Sequence, residues 1–155
     1  MIDEACLIFS EMEKLKYIDA KSIAIFMHAF SHVLNPQRAI DLYHSMESKY
    51  GVIPTDYHHI ILIDVLGRSG LLKEAEMLAY KHPSLLGWNT LLGACRLCND
   101  TKRAKEVASL IFKIDPHHSS TYVLLANTQG LTGNWNEQKS TFEKMKSLGI
   151  KKIPG

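Results

Sequence analysis

Residues 59–82 read His59-Ile60-Ile61-Leu62-Ile63-Asp64-Val65-Leu66-Gly67-Arg68-Ser69-Gly70-Leu71-Leu72-Lys73-Glu74-Ala75-Glu76-Met77-Leu78-Ala79-Tyr80-Lys81-His82. Two helical signatures flank a break. His59, Leu62, Ile63 and Leu66 fall at +3, +4 and +7 from the first, which sets four side chains on one helix face. Ala75, Leu78, Ala79 and His82 repeat the spacing after Ser69-Gly70, a pair suited to ending one helix and starting another. The stretch is one helix-turn-helix unit.

The same two signatures recur along the chain, and internal repetition decides the fold class. The second-helix pattern appears as Ala5-Ile8-Phe9-Met12, Ala39-Leu42-Tyr43-Met46, Ala104-Val107-Ala108-Ile111 and Gln138-Thr141-Phe142-Met145. Counting Ala75, its anchors at 5, 39, 75, 104 and 138 are 34, 36, 29 and 34 residues apart, the period of two-helix solenoid repeats. The first-helix pattern appears as Ile23-Phe26-Met27-Phe30, Trp88-Leu91-Leu92-Cys95 and Tyr122-Leu125-Ala126-Gln129. Turns fall at Asn35-Pro36, Asn99-Asp100 and Gly133-Asn134, and Pro54, Pro83 and Pro116 keep successive units from fusing.

The expected fold is therefore all-α, a right-handed α-solenoid. Its units are a second helix alone over 1–19, then 20–55, a short unit at 56–84, 85–118, 119–153, and a Pro-Gly remnant at 154–155. The lone first helix would leave apolar surface bare, so the chain reads as the C-terminal part of a longer array or as one end of a shortened gene. The periodicity selects Phe9, Met12, Phe30, Met46, Trp88, Leu92, Tyr122 and Phe142 for the core.

Bulk properties agree with a folded chain and exclude several classes. Of the 155 residues, 46% are hydrophobic and 22% charged, with a net charge of +2, too balanced to select nucleic acid by charge alone. Three cysteines suit a reducing compartment better than a disulfide framework. No apolar run approaches the roughly 20 residues that span a bilayer, so no membrane role is expected.

The residues also resemble a known family. Asp64-Val65-Leu66-Gly67-Arg68-Ser69-Gly70-Leu71-Leu72-Lys73-Glu74-Ala75-Glu76 is similar to the last repeat of PLS-class pentatricopeptide repeat proteins. Trp88-Asn89-Thr90-Leu91-Leu92-Gly93-Ala94-Cys95-Arg96, Asp115-Pro116, Tyr122-Val123-Leu124-Leu125-Ala126-Asn127, Gly133-Asn134-Trp135 and Gly149-Ile150-Lys151-Lys152-Ile153-Pro154-Gly155 resemble, in order, the landmarks of the E region that follows those repeats. The resemblance covers the whole chain and is densest from Pro54 onward. His59 departs from it in place of a usual Tyr, Thr128-Gln129 in place of Ile-Tyr, and Gln138 in place of a small apolar residue.

The resemblance implies an organellar factor, in mitochondrion or chloroplast, that binds single-stranded RNA and specifies sites of C-to-U editing, one base per repeat. It implies that the E region recruits or positions a deaminase domain or an editing accessory protein. Base-reading positions transfer to Ala24 with Thr55, Ile60 with Ser84, and Asn89 with His118, while Asp19 closes the first unit. A carboxylate accepts hydrogen bonds from a base edge, so Asp19 leads this set, whereas Ala24 and Ile60 offer no side-chain hydrogen bond. RNA binding by these residues alone should be weak.

Catalysis is not expected. Zinc deaminases need H-x-E and C-x-x-C, and none of the eight histidines has Glu two residues later. Cys95-Arg96-Leu97-Cys98 lacks two further ligands at zinc spacing, and Cys95 falls on the inward stripe. Adjacent helical residues diverge by about 100°, so His58-His59 and His117-His118 read as partly exposed side chains rather than metal pairs. Gly67-Arg68-Ser69-Gly70 is no phosphate loop, because no strand precedes it, and its glycines read as a helix end. Neither metal nor cofactor is expected. The five lysines 139, 144, 146, 151 and 152 fit RNA phosphate and a solvated last helix equally well. A tetratricopeptide-like protein-interaction solenoid is the rival reading, disfavoured by the uneven periods and by Gly93 falling late after Trp88.

Overall fold

A computed structural model describes residues 2–32 and 36–151. Its helices are α1 (Ile2–Lys14), α2 (Ala20–His32), α3 (Pro36–Tyr50), α4 (Asp56–Arg68), α5 (Leu72–Lys81), α6 (Leu85–Leu97), α7 (Thr101–Ile114), α8 (Ser119–Leu131) and α9 (Trp135–Ser147). The described residues form no strand. The chain is an all-α helical repeat array. Asn35 and the Pro154-Gly155 segment lie outside the described residues.

Local chemistry explains where the helices break. Gly70, Asn99 and Gly133 take φ of 77°, 55° and 78° at equivalent turns, the left-handed region open to Gly and Asn. Each such turn closes with one recurring bond: Leu71 N–H to Leu66 O (2.9 Å), Asp100 N–H to Cys95 O (2.9 Å) and Asn134 N–H to Gln129 O (2.8 Å). These bonds satisfy carbonyls that a helix end would leave bare. Pro36 opens α3 at a position where its missing N–H costs nothing.

Packing sorts the helices into two layers. Helices α2, α4, α6 and α8 pack side by side in chain order. Helices α3, α5, α7 and α9 sit on them, and their own backbones do not meet. Helices stand closest on the inside of a curve, so the α2–α8 layer is the concave one. Side chains alone tie the outer layer: Glu13–Lys49 joins α1 to α3 (2.7 Å), Glu76–Arg103 joins α5 to α7 (3.0 Å), and Lys105–Glu137 joins α7 to α9 (2.6 Å). Among the described residues no ion pair bridges α3 and α5. A cleft of about 780 Å³ opens there, floored by Leu62 and Leu66 and flanked by Ile40, Tyr43, Met77 and Leu78.

One core runs the length of the array between the layers, through Ile23, Met27, Ile63, Leu91, Leu92 and Ile111. Phe30, Met46, Trp88, Leu92 and Tyr122 are buried, and Phe9 and Met12 pack half-buried against the core. Trp88 stands edge-on to Tyr80 at 4.8 Å between centroids. Tyr122 hydroxyl donates to Pro116 O at 2.9 Å, meeting the polar need of a buried ring.

Phe142 corrects an expectation. It is 39% exposed rather than core. Helix α9 docks on α8 through Met145, through Gln138 against Gly130, and through Thr141 donating to Gln129 Oε1 at 2.8 Å. Phe142 lies at the edge of this docking face, four residues after Gln138, where with Gln138, Lys139, Glu143 and Lys146 it lines an open surface hollow that no further helix among the described residues covers. Two polar residues that break the repeat pattern, Gln129 and Gln138, thus stand at one helix–helix seam, while the buried Thr128 donates to Leu124 O within α8 at 2.8 Å.

Gly67 has a role beyond the expected helix end. It is the second-last residue of α4, with Gly70 closing the turn beyond, and a Cβ there would collide with the Cβ of Ala94 in α6. The residue is small so that two inner helices can cross closely.

Candidate nucleic-acid interface

The residues that close each unit share one structural position. Asp19, Thr55, Ser84 and His118 immediately precede α2, α4, α6 and α8, all at the same end of the inner layer. Each holds its helix start differently. Asp19 Oδ1 accepts from the Ser22 N–H at 2.7 Å, and Ser22 Oγ accepts from the Asp19 N–H at 2.8 Å, a reciprocal cap. The Ser22 backbone bond, foremost, holds the Asp19 carboxyl below the usual carboxylate range. Ser84 Oγ accepts from the Gly87 N–H at 3.0 Å. Thr55 N–H donates to His58 Nδ1 at 3.2 Å.

His58 links two neighbouring positions in this row. Its Nδ1 accepts from Thr55, so Nε2 carries the proton and donates to Ala20 O at 2.8 Å, joining the starts of α4 and α2. His58 and His59 are 2% and 7% exposed, where partly exposed side chains were expected. His58 is held against the start of α2 through Ala20 O, whereas His59 is covered by Tyr43 of α3 and by His82 at the end of α5.

The paired positions differ from one another. Ala24 is 4% exposed and packed into the core, so it presents almost no surface. Ile60 is half-buried on α4. Asn89 is tied to its partner: Ser120 Oγ lies 3.2 Å from Asn89 Oδ1 and 3.1 Å from His118 Nδ1. The structure therefore brings Asn89 and His118 together through Ser120, and records no such tie between Ala24 and Thr55 or between Ile60 and Ser84.

Sequence reasoning passed over Tyr57, Leu86 and Ser120. Each stands two residues after a unit-closing residue, and Tyr57 and Leu86 are 60% and 57% exposed. Apolar side chains so placed at a helix start, outside the +3, +4, +7 stripe, were the signal that could have found Tyr57 and Leu86; the polar Ser120 carries no such signal.

Cys95 of the Cys95–Cys98 pair is not placed as a nucleophile. Cys95 is fully buried, and burial pushes its thiol up to about 12, so it stays protonated at neutral pH. Cys98 is exposed, with its sulfur 3.7 Å from Gly67 O. Among the described residues no three His, Cys, Asp or Glu side chains gather as a metal site would need, and no helix is long and apolar enough to cross a membrane.

Fold and site define a class: a two-layer helical repeat solenoid with a register of polar helix starts along one edge. Residues 59–79 match the model of the PPR repeat, and residues 98–155 match that of the E motif. The chain is 34% identical over 99% of its length to a mitochondrial pentatricopeptide repeat-containing protein of Arabidopsis thaliana, of which it covers 20%. A second mitochondrial pentatricopeptide repeat-containing protein of that plant is 36% identical over 94% of the chain, and 15% of that protein is covered. A third pentatricopeptide repeat-containing protein of the same plant is 35% identical over 98%, with 29% covered. The chain belongs to the pentatricopeptide repeat proteins that carry an E motif. It spans about a fifth of the length of the curated relatives it matches.

Proposed function

We propose that this chain contributes to an organellar RNA-editing factor, meeting single-stranded RNA along the inner-layer helix starts and a cytidine deaminase or accessory protein through the E region. One observation supports the reading above others. Asp19, Thr55, Ser84 and His118 recur at one position, one per unit, along a single edge. A row of polar groups at fixed intervals suits a polymer with one base per interval better than a compact ligand.

Within this reading Tyr57 is a stacking platform for a base beside Thr55, since an exposed ring tolerates any base. Asn89, with Oδ1 facing the Ser120 hydroxyl, turns its amide N–H donors to an acceptor on a base edge. Ala24 contributes shape only. Two relatives carry mitochondrial names, which supports an organellar site of action, the mitochondrion before the chloroplast.

Fluorescence polarisation with a labelled single-stranded RNA pool, at two salt concentrations and with or without a cytidine deaminase domain, tests the proposal. Weak, salt-sensitive binding that tightens with the deaminase is expected. Absence of RNA binding by the folded chain in both settings would transfer the assignment to a protein-interaction solenoid.

A further inference from the structure

Two residues break the internal repeat pattern in unit 56–84, and they touch. The first-helix anchor is Ile23, Trp88 or Tyr122 in the other units, but His59 in this one. The last second-helix anchor is Met12, Met46, Ile111 or Met145 elsewhere, but His82 here. Although 23 positions separate them in sequence, their rings stack at 3.5 Å between centroids with planes 19° apart. Two anchor positions that are filled by apolar or aromatic residues in the other units, one on each helix, are thus filled here by a pair of imidazoles.

The surroundings favour the uncharged pair. His59 is 7% exposed, and its buried Nδ1 has no hydrogen-bond partner. Asp56 Oδ1 stands 3.8 Å away, beyond hydrogen-bond reach, on a carboxylate 87% exposed and screened by water. From α3, the Tyr43 ring presents edge-on at 6.0 Å, with His44 beside it. From α4 itself comes His58, whose Nδ1 is already an acceptor. From α5 comes Lys81, which precedes His82 and adds positive charge. Only Asp56 opposes the crowding of like charge. His82 is partly exposed, so protons reach the pair.

We infer that the His59–His82 stack is a proton-sensitive joint between α4 and α5, closed when both rings are neutral and loosened as the pair takes up protons. His82 caps the end of α5 and leads through Pro83 to Ser84, the cap of α6. The joint therefore lies where the unit passes into the next one. Desolvation, then the neighbouring His82, hold His59 below its ordinary value of 6.5. A group so depressed binds fewer protons folded than unfolded. Its stability contribution is complete above about 6.5 and is lost as pH falls from there toward the folded value.

The test compares the chain with the double variant His59→Tyr/His82→Met, which restores residues used in other units. Melting temperatures of both are taken between pH 7.5 and 5.5. The wild type is expected to lose roughly 2–4 °C more than the variant over this range. Carbon-edited NMR titration of the wild-type imidazoles gives a second readout that needs no variant to fold. Expected is a His59 midpoint below that of a free imidazole. Equal pH dependence of melting in both chains, or a His59 midpoint at the ordinary value, overturns the inference.

Discussion

Gly67 in α4 and Ala94 in α6 occupy the same crossing, and a methyl group added to the first would take the place of the second. Gly67→Ala should therefore destabilise the array by roughly 1–3 kcal/mol, the usual cost of overpacking. Adding Ala94→Gly should return most of the loss, because the space for one Cβ is then free. Chemical denaturation of the two single variants and the double variant measures this coupling. Additive losses would mean that the crossing is not the point of closest approach.

Trp88 is 4% exposed and meets Tyr80 edge-on. Trp88→Ala leaves a ring-sized void between α5 and α6, at a cost of roughly 3–5 kcal/mol. A thermal melt matching the wild type would refute this account of the core.

Tyr57 is 60% exposed, so Tyr57→Ala should leave the melting temperature nearly unchanged. If the ring stacks on a base, the same change should weaken single-stranded RNA binding by roughly 1–3 kcal/mol. Polarisation titrations against a fixed RNA pool read this directly. A matching loss for all RNA compositions is expected, since stacking is indifferent to the base.

Glu13 joins α1 to α3 through Lys49, and also bonds the Tyr50 hydroxyl. The Lys49 bond, foremost, lowers the Glu13 carboxyl from its ordinary value of 4.5. A depressed carboxylate stabilises above that value, and the contribution fades as pH falls below it. Amide exchange in residues 2–14, corrected for intrinsic rate, should therefore quicken relative to the rest of the chain below about pH 4.5. Glu13→Gln should show the faster exchange already at neutral pH.

Much of this was legible in the sequence. The +3, +4, +7 stripes and the Gly, Asn and Pro breaks locate the helices, because helix faces and helix ends are set by residues close together in the chain. What escaped depends on residues far apart. A stripe states which side chains share a face, not whether a second helix covers it, and so Phe142 reads as core yet stands exposed. His58 reads as surface, yet the crossing of α2 buries it. Gly67 reads as part of a helix end and does lie in the last turn of α4, but its smallness answers to Ala94, 27 positions on. At the candidate interface the unit-closing residues were legible as a register. The ties between them were not, because His58 and Ser120 act by reaching from one unit into its neighbour.

The inner helices touch one another, and the outer helices meet through side chains alone, among them the salt links Glu76–Arg103 and Lys105–Glu137. Those links are partly open to water and yield to salt, whereas the apolar seams of the inner layer do not. The array thus behaves as a strip with a stiff spine and a pliant back. Bending opens or closes the back like the pleats of a bellows, while the graduations along the spine, Asp19, Thr55, Ser84 and His118, keep their spacing.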